Sequence, residues 1–324
     1  MRPVKLFPGE GKFYKTNLHC HSTFSDGRFT VEQLKEGYKA KGYSAVAFSD
    51  HNTLTPHNEL TDDEFIAINA TEIDFNPVPP AGSRGWISVP VYHLNFLSKD
   101  KNRTAFIPFD RVYGLKEVQK VIDDAAADGF LVSYNHPRWS YQTPADFDPL
   151  KGLFGFEVFN TGCEVTMADG FGDYEYEEYC RRGGTACPLA TDDNHNVVKD
   201  FDSPYSDSFG GWTMIKAPEL SYEALFEAME NKNLYASTGA AFTGGEFFRD
   251  GNSIIVKGTC EACSSVFILT DSRISDARRS HRDDICEFQF EIPGDTVWFR
   301  LELKNNAGGR AFTRNYLSTE MQNL

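Results

Sequence analysis

Six of the eight histidines in the sequence stand at or near the ends of predicted strands: His19, His21, His51, His93, His136 and His195. Acidic residues accompany them in the same places: Asp26, Asp50, Glu72, Asp192 and Asp193. Neutral imidazoles and carboxylates are the ligands that borderline divalent cations prefer in proteins. Each residue alone has an ordinary interpretation, such as a turn residue or a hydrogen-bonded core histidine. Their recurrence at successive strand ends favours a metal site.

The spacing within two of these segments supports the same chemistry. His19 and His21 are two residues apart, so on a strand both imidazoles point to the same side. Asp193 and His195 repeat this spacing after a later strand. Asp192 is an alternative ligand to Asp193. We interpret Asp50 as a partner that orients an imidazole rather than as a ligand.

These residues need a scaffold of strands whose ends converge. Apolar runs predict seven strands: Thr16–His19, Ala45–Ser49, Phe65–Ala70, Ile87–Phe96, Phe130–Tyr134, Phe154–Phe159 and Ala186–Ala190. Helical spacing predicts four helices: 30–42, Leu115–Asp128, Glu175–Arg182 and Tyr222–Asn231. Strands that alternate with helices indicate an α/β fold of parallel βα units. In a closed parallel barrel, the carboxyl ends of the strands share one face.

The pattern changes after about residue 240. Short strands without intervening helices follow: Ser253–Lys257, Ser265–Thr270, Cys286–Glu291 and Val297–Leu303. Turn signals separate them, which is typical of a small antiparallel β-sandwich. We therefore predict a first domain of residues 1–240 and a sandwich-like second domain of residues 241–324.

Composition excludes several classes of protein. The 324 residues are 40% hydrophobic, which argues against disorder, and no run approaches the roughly 18 apolar residues of a membrane helix. The formal net charge of −15 disfavours binding to long nucleic acid. No signal peptide is evident, and seven scattered cysteines suit reduced thiols. We expect a cytoplasmic protein without a membrane partner, and the oligomeric state stays open.

One segment is recognisable. Asn17–Gly27, with the sequence NLHCHSTFSDG, resembles the opening motif of the PHP (polymerase and histidinol phosphatase) superfamily of metallohydrolases. Later segments match its remaining motifs in order: 49–53, 70–73, 135–137 and 191–195. The resemblance covers roughly residues 14–240. Leu234–Gly239 and the β-rich tail resemble the carbaryl-hydrolase-like branch of that superfamily.

The resemblance implies a distorted (β/α)7, TIM-like barrel that binds two or three divalent ions of manganese, iron or zinc. The implied ligands of the first ion are His19, His21, Glu72 and Asp193. A second ion would share Glu72 and take His93 and His136. A third would take Asp26, His51 and His195. Within this set we assign catalytic roles to Glu72, Asp193 and His195, together with Arg138, whose guanidinium is a candidate phosphate anchor.

Clustered divalent ions lower the pKa of bound water towards about 7, which provides a hydroxide that can bridge the ions and attack phosphorus. The sequence thus favours a phosphoesterase acting on a small phosphomonoester or phosphodiester. The same ligands would serve hydrolysis of a carboxylic or carbamic ester. A third possibility is a binding or accessory module that keeps metals without turnover.

Overall fold

The computed structural model describes residues 3–273 and 275–322. Its first ten strands are β1 (Val4–Lys5), β2 (Lys12–Cys20), β3 (Ala45–Phe48), β4 (Ile66–Phe75), β5 (Tyr92–Ser98), β6 (Phe130–Tyr134), β7 (Gly155–Asn160), β8 (Cys187–Thr191), β9 (Trp212–Ala217) and β10 (Leu234–Ser237). The later strands are β11 (Phe242–Asp250), β12 (Ser253–Cys263), β13 (Ser265–Thr270), β14 (Asp276–Arg279), β15 (Ile285–Pro293), β16 (Trp298–Lys304), β17 (Arg310–Phe312) and β18 (Tyr316–Leu317).

Helices connect and cover the strands of the first part of the chain. They are α1 (Val31–Ala40), α2 (Leu115–Ala127), α3 (Pro144–Phe147), α4 (Thr161–Met167), α5 (Asp173–Arg181) and α6 (Tyr222–Glu230). Short 3-10 turns occupy Asn58–Leu60, Gly85–Ser88 and Ser318–Gln322. Among residues 3–273 and 275–322, no helix has the length and apolar character needed to cross a membrane.

A large mixed sheet carries the fold. Its strands run in the order β14-β13-β16-β17-β10-β9-β2-β3-β4-β5-β6-β7-β8, and β18 pairs with β16. Strands β2, β3 and β4 are parallel, as are β6, β7 and β8. Strand β5 is antiparallel to both of its neighbours, and β9 is antiparallel to β2. The predicted α/β class is confirmed in this mixed form.

The closed parallel (β/α)7 barrel is not shown. Within the described ranges the pairing of the large sheet follows an open path from β14 to β8. No α-helix separates β4 from β5, so the chain turns back and β5 runs antiparallel. A single parallel bridge between Cys20 and Asn194 nevertheless brings the segment after β8 against the end of β2.

Two predicted helices show why the elements form where they do. The Thr30 hydroxyl accepts from the Gln33 backbone amide and the Gln33 side-chain oxygen accepts from the Thr30 backbone amide, so α1 starts with a capping box. Tyr38 on its apolar face is fully buried. In α2 the apolar face of Val118, Val121, Ile122 and Ala125 is buried.

The fourth predicted strand, Ile87–Phe96, begins later than expected. Residues 85–88 form a 3-10 turn, and the strand starts at Tyr92. Pro90 has no amide hydrogen to donate to a strand ladder, which places it outside the paired segment. Strands β9 and β10 were not predicted.

The strands after residue 240 form two layers. A four-stranded sheet runs in the order β1-β11-β12-β15, while β13, β16 and β17 extend the large sheet. Side chains from both layers share one hydrophobic cluster, which contains Phe247, Val256, Ile268 and Leu301 among others. Leu6, from the opposite end of the chain, is buried in the same cluster. The boundary at residue 240 stays a prediction.

Candidate metal centre

The nine ligands suggested by the resemblance come together in three groups. They are His19, His21, Glu72 and Asp193; Glu72, His93 and His136; and His21, Asp26, His51 and His195. Within each group, one ligand atom per residue lies within 4.8 Å of the others. Glu72 and His21 each belong to two groups, so the groups are adjacent.

Strand direction explains how His93 joins the group. His93 is the second residue of β5, and it pairs with Asp74 near the end of β4. Because β5 is antiparallel to β4, the start of β5 lies at the edge of the sheet where β4 ends. A residue at the start of a reversed strand thus joins residues at the ends of forward strands.

Glu72 is the centre of the cluster. Its carboxylate is 1% exposed and lies 3.1–3.4 Å from ring nitrogens of five histidines: His19, His21, His51, His93 and His136. A buried carboxylate has two oxygens and can therefore bridge two cations. This arrangement suits ions held side by side.

Asp193 completes the deepest group. Its Oδ1 lies 3.1 Å from His19 Nε2 and 3.0 Å from His21 Nε2, and the two ring nitrogens are 3.2 Å apart. Within the part of the chain that the structure describes, the buried Oδ1 of Asp193 has no hydrogen-bond partner. Imidazole nitrogens that face each other and an unpaired carboxylate oxygen are the donors that a divalent cation satisfies. The residues therefore fit a metal ion.

The third group lies nearer the surface. Asp26, whose side chain is 56% exposed, lies 3.4 Å from His195 Nε2 and 3.9 Å from both His21 Nδ1 and His51 Nε2. Its longer distances and greater exposure predict that this group holds its ion less tightly than the buried groups do.

The electrostatics of the cluster favour positive charge. Burial lowers the pKa of His19, but Asp193, Glu72 and Glu157 outweigh burial and raise the pKa well above its usual value. Burial likewise opposes ionisation of Glu72, yet the surrounding histidines hold its pKa well below the ordinary value. For His195, the effect of burial is overcome by Asp26 and Asp193, which raise its pKa to about 9. A cluster that draws in protons also attracts cations.

Backbone strain is concentrated here. His136 has a φ of +22° and Asp193 a φ of +50°, in the left-handed region that non-glycine residues rarely adopt. Such conformations persist where the surrounding structure imposes them, which is common at functional sites.

Two of the acidic residues selected from the sequence, Asp50 and Asp192, lie outside the three ligand groups. Asp192 is fully buried and accepts hydrogen bonds from Tyr38, Thr161 and the backbone of residues 209–211. Burial raises its pKa to about 6. Asp50 accepts from Ser22 and Ser25, and the Ser25 hydroxyl lies 3.5 Å from His21 Nδ1. Asp50 thus contacts the loop that follows His21, and its role in orienting an imidazole stays a prediction.

A cavity of about 360 Å³ opens onto the cluster. Its lining residues are Asp26, His51, Glu72, Asp74, Asn76, His93, His136, Trp139, Asp193 and His195. The Trp139 ring packs edge-on against His93 and His136, with centroids 5.3 and 5.0 Å away. Trp139 is thus the aromatic wall of an otherwise polar site.

Arg138, the predicted phosphate anchor, is not one of the residues that line this cavity. Its guanidinium donates to the backbone carbonyl of Phe171 at 3.1 Å, and Nε lies 3.9 Å from Glu175. The side chain is 48% exposed. Its role in binding phosphate stays a prediction.

Sequence reasoning missed Glu157 and Asn160, which lie on β7 beneath the cluster. Glu157 is 1% exposed and contacts His19 Nδ1 at 2.7 Å. The signal was an acidic residue inside the apolar segment Gly155–Asn160, because a buried acid requires partners.

The chain is a mixed α/β protein in which six imidazoles and three carboxylates form adjacent groups beside one cavity, and these are donors that suit divalent metal ions. A family model described as PHP domain matches residues 17–182, just over half of the chain. The chain belongs to this family. The more specific resemblance to the carbaryl-hydrolase-like branch is not confirmed.

The individual proteins that are similar to this chain either match only a short segment of it or share little sequence identity with it. The DNA polymerase/3′-5′ exonuclease PolX of Bacillus subtilis (strain 168) is 43% identical over 61 residues, which are 18% of this chain and 10% of that protein. The chain thus matches only a tenth of this relative's length.

Two solved structures are similar at low identity. A two-domain protein from Bacteroides vulgatus, described as containing a predicted PHP-like metal-dependent phosphoesterase, is 13% identical, with 98% of this chain and 99% of that chain covered and a TM-score of 0.48. An amidohydrolase from Chromobacterium violaceum is 12% identical, with coverages of 68% and 96% and a TM-score of 0.41. Both TM-scores are below 0.5, so these two similarities do not indicate the function of the chain.

Proposed function

We propose that the protein is a metal-dependent phosphoesterase that hydrolyses a small phosphomonoester or phosphodiester. The observation that carries this proposal is the position of Glu72, whose buried carboxylate contacts five imidazoles and belongs to two adjacent ligand groups. Adjacent cations suit phosphoryl transfer, in which charge develops on both the attacking and the leaving oxygen. Membership of the PHP domain family supports the same chemistry.

We assign the three groups to two or three ions of manganese, iron or zinc. His19, His21, Glu72 and Asp193 would hold the first ion, Glu72, His93 and His136 the second, and Asp26, His51 and His195 the third, with His21 lying close to both the first and the third. When bound, such ions polarise the phosphoester and lower the pKa of coordinated water.

The chain's own residues do the remaining work. Glu72 and Asp193 hold negative charge in a buried position, and this charge favours the binding of cations in the site. Asp74, Asn76 and Trp139 shape the open side of the cavity, whose volume fits a small substrate. His195 Nε2 faces Asp26 at 3.4 Å, and in the metal-free protein this nitrogen can hold a proton that the third ion would displace.

Two further points belong to the proposal. We propose that the large sheet acts as a distorted barrel, which the bridge between Cys20 and Asn194 supports. We also propose that Arg138 anchors the phosphate, for which it would have to leave the Phe171 carbonyl.

One observation favours a second candidate. Among the residues that the structure describes, neither lysine nor arginine lines the cavity, and Trp139 offers an apolar surface. Such a site would also accept an uncharged carboxylic or carbamic ester, because the same ligands polarise a carbonyl group.

The test is hydrolysis of a phosphomonoester, a phosphodiester and an aryl carboxylic ester by manganese-loaded protein. We expect turnover of a phosphorus substrate that falls at least a hundredfold in His21→Ala. The control is His281→Ala, which removes an exposed imidazole outside the cluster and should retain full activity.

Turnover of the carboxylic ester alone would contradict the phosphoesterase proposal and favour the second candidate. Absence of turnover of all three substrates by protein that binds its ions would instead favour an accessory module.

A further inference from the structure

We propose that Glu157 is a positioning residue that orients the His19 imidazole and fixes the backbone of His136 in the metal centre. The inference rests on the proposed function, since it assigns both histidines to metal binding. Glu157 lies on β7, is buried, and is not itself a member of the three ligand groups. Glu157 makes four hydrogen-bond contacts, which link it to two ligand residues and to Thr191 and Asn160.

One oxygen of Glu157 sets the orientation of His19. Oε1 lies 2.7 Å from His19 Nδ1 and accepts from the Thr191 hydroxyl at 2.7 Å. A carboxylate at this distance requires a proton on Nδ1 of the imidazole. Nε2 of His19 is then the nitrogen available to a cation, and it faces Asp193 at 3.1 Å and Glu72 at 3.4 Å. Ligating histidines in proteins are commonly oriented in this way.

The second oxygen of Glu157 holds a different ligand residue. Oε2 accepts from the His136 amide at 2.8 Å and from the Asn160 side chain at 3.1 Å. His136 has a strained φ of +22°. The hydrogen bond from its backbone amide to a buried carboxylate stabilises this conformation, which a loop without such a contact would not keep.

Asn160 extends the arrangement to a third ligand. Its side-chain Nδ2 donates to Glu157 Oε2 and also to Asp193 Oδ2, both at 3.1 Å. Its Oδ1 accepts from the Cys163 amide and caps α4, which fixes the orientation of the amide group. Glu157 and Asn160 therefore connect residues on or following β2, β6 and β8.

The substitution Glu157→Gln tests this role. All four contacts of Glu157 are donors, and a glutamine can accept through one oxygen only. Its amide nitrogen would face two of the donors, so either the pair around His19 or the pair around His136 is lost.

A matched control is available in Glu302→Gln. Glu302 is a largely buried carboxylate, 12% exposed, that accepts hydrogen bonds from Arg300 and Arg310 rather than from a ligand residue. Both substitutions should lower the melting temperature of the metal-free protein. Only Glu157→Gln should weaken the metal centre.

The measurement is a calorimetric titration of metal-free protein with Mn²⁺, which reports binding without turnover. Second partners of metal-ligating histidines commonly contribute about 10–100-fold to metal affinity. We expect a loss of that size at the tightest sites in Glu157→Gln and less than about threefold in Glu302→Gln. Equal affinity in Glu157→Gln and wild type, or equal losses in both variants, would overturn the inference.

Two further outcomes keep the test decisive. If Glu157→Gln shows no cooperative melting transition, Thr191→Val removes one donor to the same carboxylate and should weaken binding severalfold, whereas unchanged affinity would overturn the inference. Wild-type protein that binds no Mn²⁺ would contradict the proposed function itself. Wild-type protein that binds and hydrolyses while Glu157→Gln matches it would contradict only the role of Glu157.

Discussion

At the scale of single residues, His195 links proton binding to metal binding. Its Nε2 lies 3.4 Å from Asp26, and the nearby carboxylates raise its pKa from 6.5 to about 9 despite burial. A ligand histidine must lose its proton from the nitrogen that takes the ion, so protons compete with cations. We therefore expect the metal affinity of the proposed third site to depend on pH.

We predict that the apparent affinity for Mn²⁺ at the weakest site increases as the pH rises from about 6.5 to 9. Calorimetric titration in buffers of different ionisation enthalpy should show proton release on binding. His195→Gln should abolish the proton release that belongs to this site. An affinity independent of pH over this window would contradict the prediction.

The same pKa shift makes the stability of the metal-free protein fall as the pH rises, opposite to the predicted change in metal affinity. The pKa of His195 is higher in the folded chain than in the unfolded chain, so its contribution to stability is fully present below about pH 6.5 and is lost as the pH rises through 9. Added metal should offset that loss, because ions bind the folded state preferentially.

The candidate ligand residues could be selected from the sequence because their types and their positions at strand ends distinguish them. His19, Glu72 and Asp193 follow or end apolar runs, where a polar residue indicates a specific role. Glu157 could not be assigned in the same way, since its proposed role depends on contacts with side chains of β2 and β8. Sequence position alone does not give such contacts.

At the scale of elements, α1 is tied to the loop that carries the ligands. The Tyr38 hydroxyl lies 2.8 Å from both Asp192 Oδ2 and Asn194 Oδ1, and it accepts from Asn17 at 2.9 Å. These contacts join the helix to β2 and to the segment after β8. The hydroxyl is fully buried, so its partners have no water to replace it.

We predict that Tyr38→Phe lowers the free energy of unfolding by about 1–3 kcal/mol, because buried acceptors lose their donor. Urea denaturation of the metal-free protein measures this change. Tyr141→Phe, at a side chain that is 61% exposed, should change the free energy by less than about 0.5 kcal/mol. Equal values for the two variants would contradict the tie between α1 and the ligand loop.

Strand direction limited what could be predicted at this scale. The sequence indicates where β5 lies but not that it runs antiparallel, because its apolar run is compatible with either direction. His93 therefore looked like a strand-end residue, whereas it lies at the start of a reversed strand. His93 lies in a candidate ligand group although β5 runs opposite to the predicted parallel direction, and its role as a ligand stays a prediction.

At the scale of the whole molecule, the two ends of the chain depend on each other. Strand β10 pairs with β17, and β1 pairs with β11. Leu6 is buried in the cluster formed by the later strands, and its carbonyl accepts from the Tyr316 hydroxyl at 3.0 Å. The composition change at residue 240 gave no sign of these pairings, which join residues far apart in sequence.

We predict that a fragment of residues 1–240 does not unfold cooperatively, because it leaves the edge of β10 unpaired and exposes the apolar side chains of residues 6 and 7. Thermal unfolding followed by circular dichroism measures this, with the full chain as control. A fragment with a cooperative transition and full Mn²⁺ binding would instead support residues 1–240 as an independent domain.

The central claim is that the cluster is a metal centre built around Glu72, and stoichiometric titration with Mn²⁺ tests it most directly. We predict two tightly bound ions and a third, weaker one in the wild type. Asp26→Asn should lose only the weakest ion, whereas Glu72→Gln should lose at least two, because Glu72 belongs to two ligand groups. Wild-type protein that binds no ion, or a Glu72→Gln variant that retains the wild-type stoichiometry, would contradict the claim.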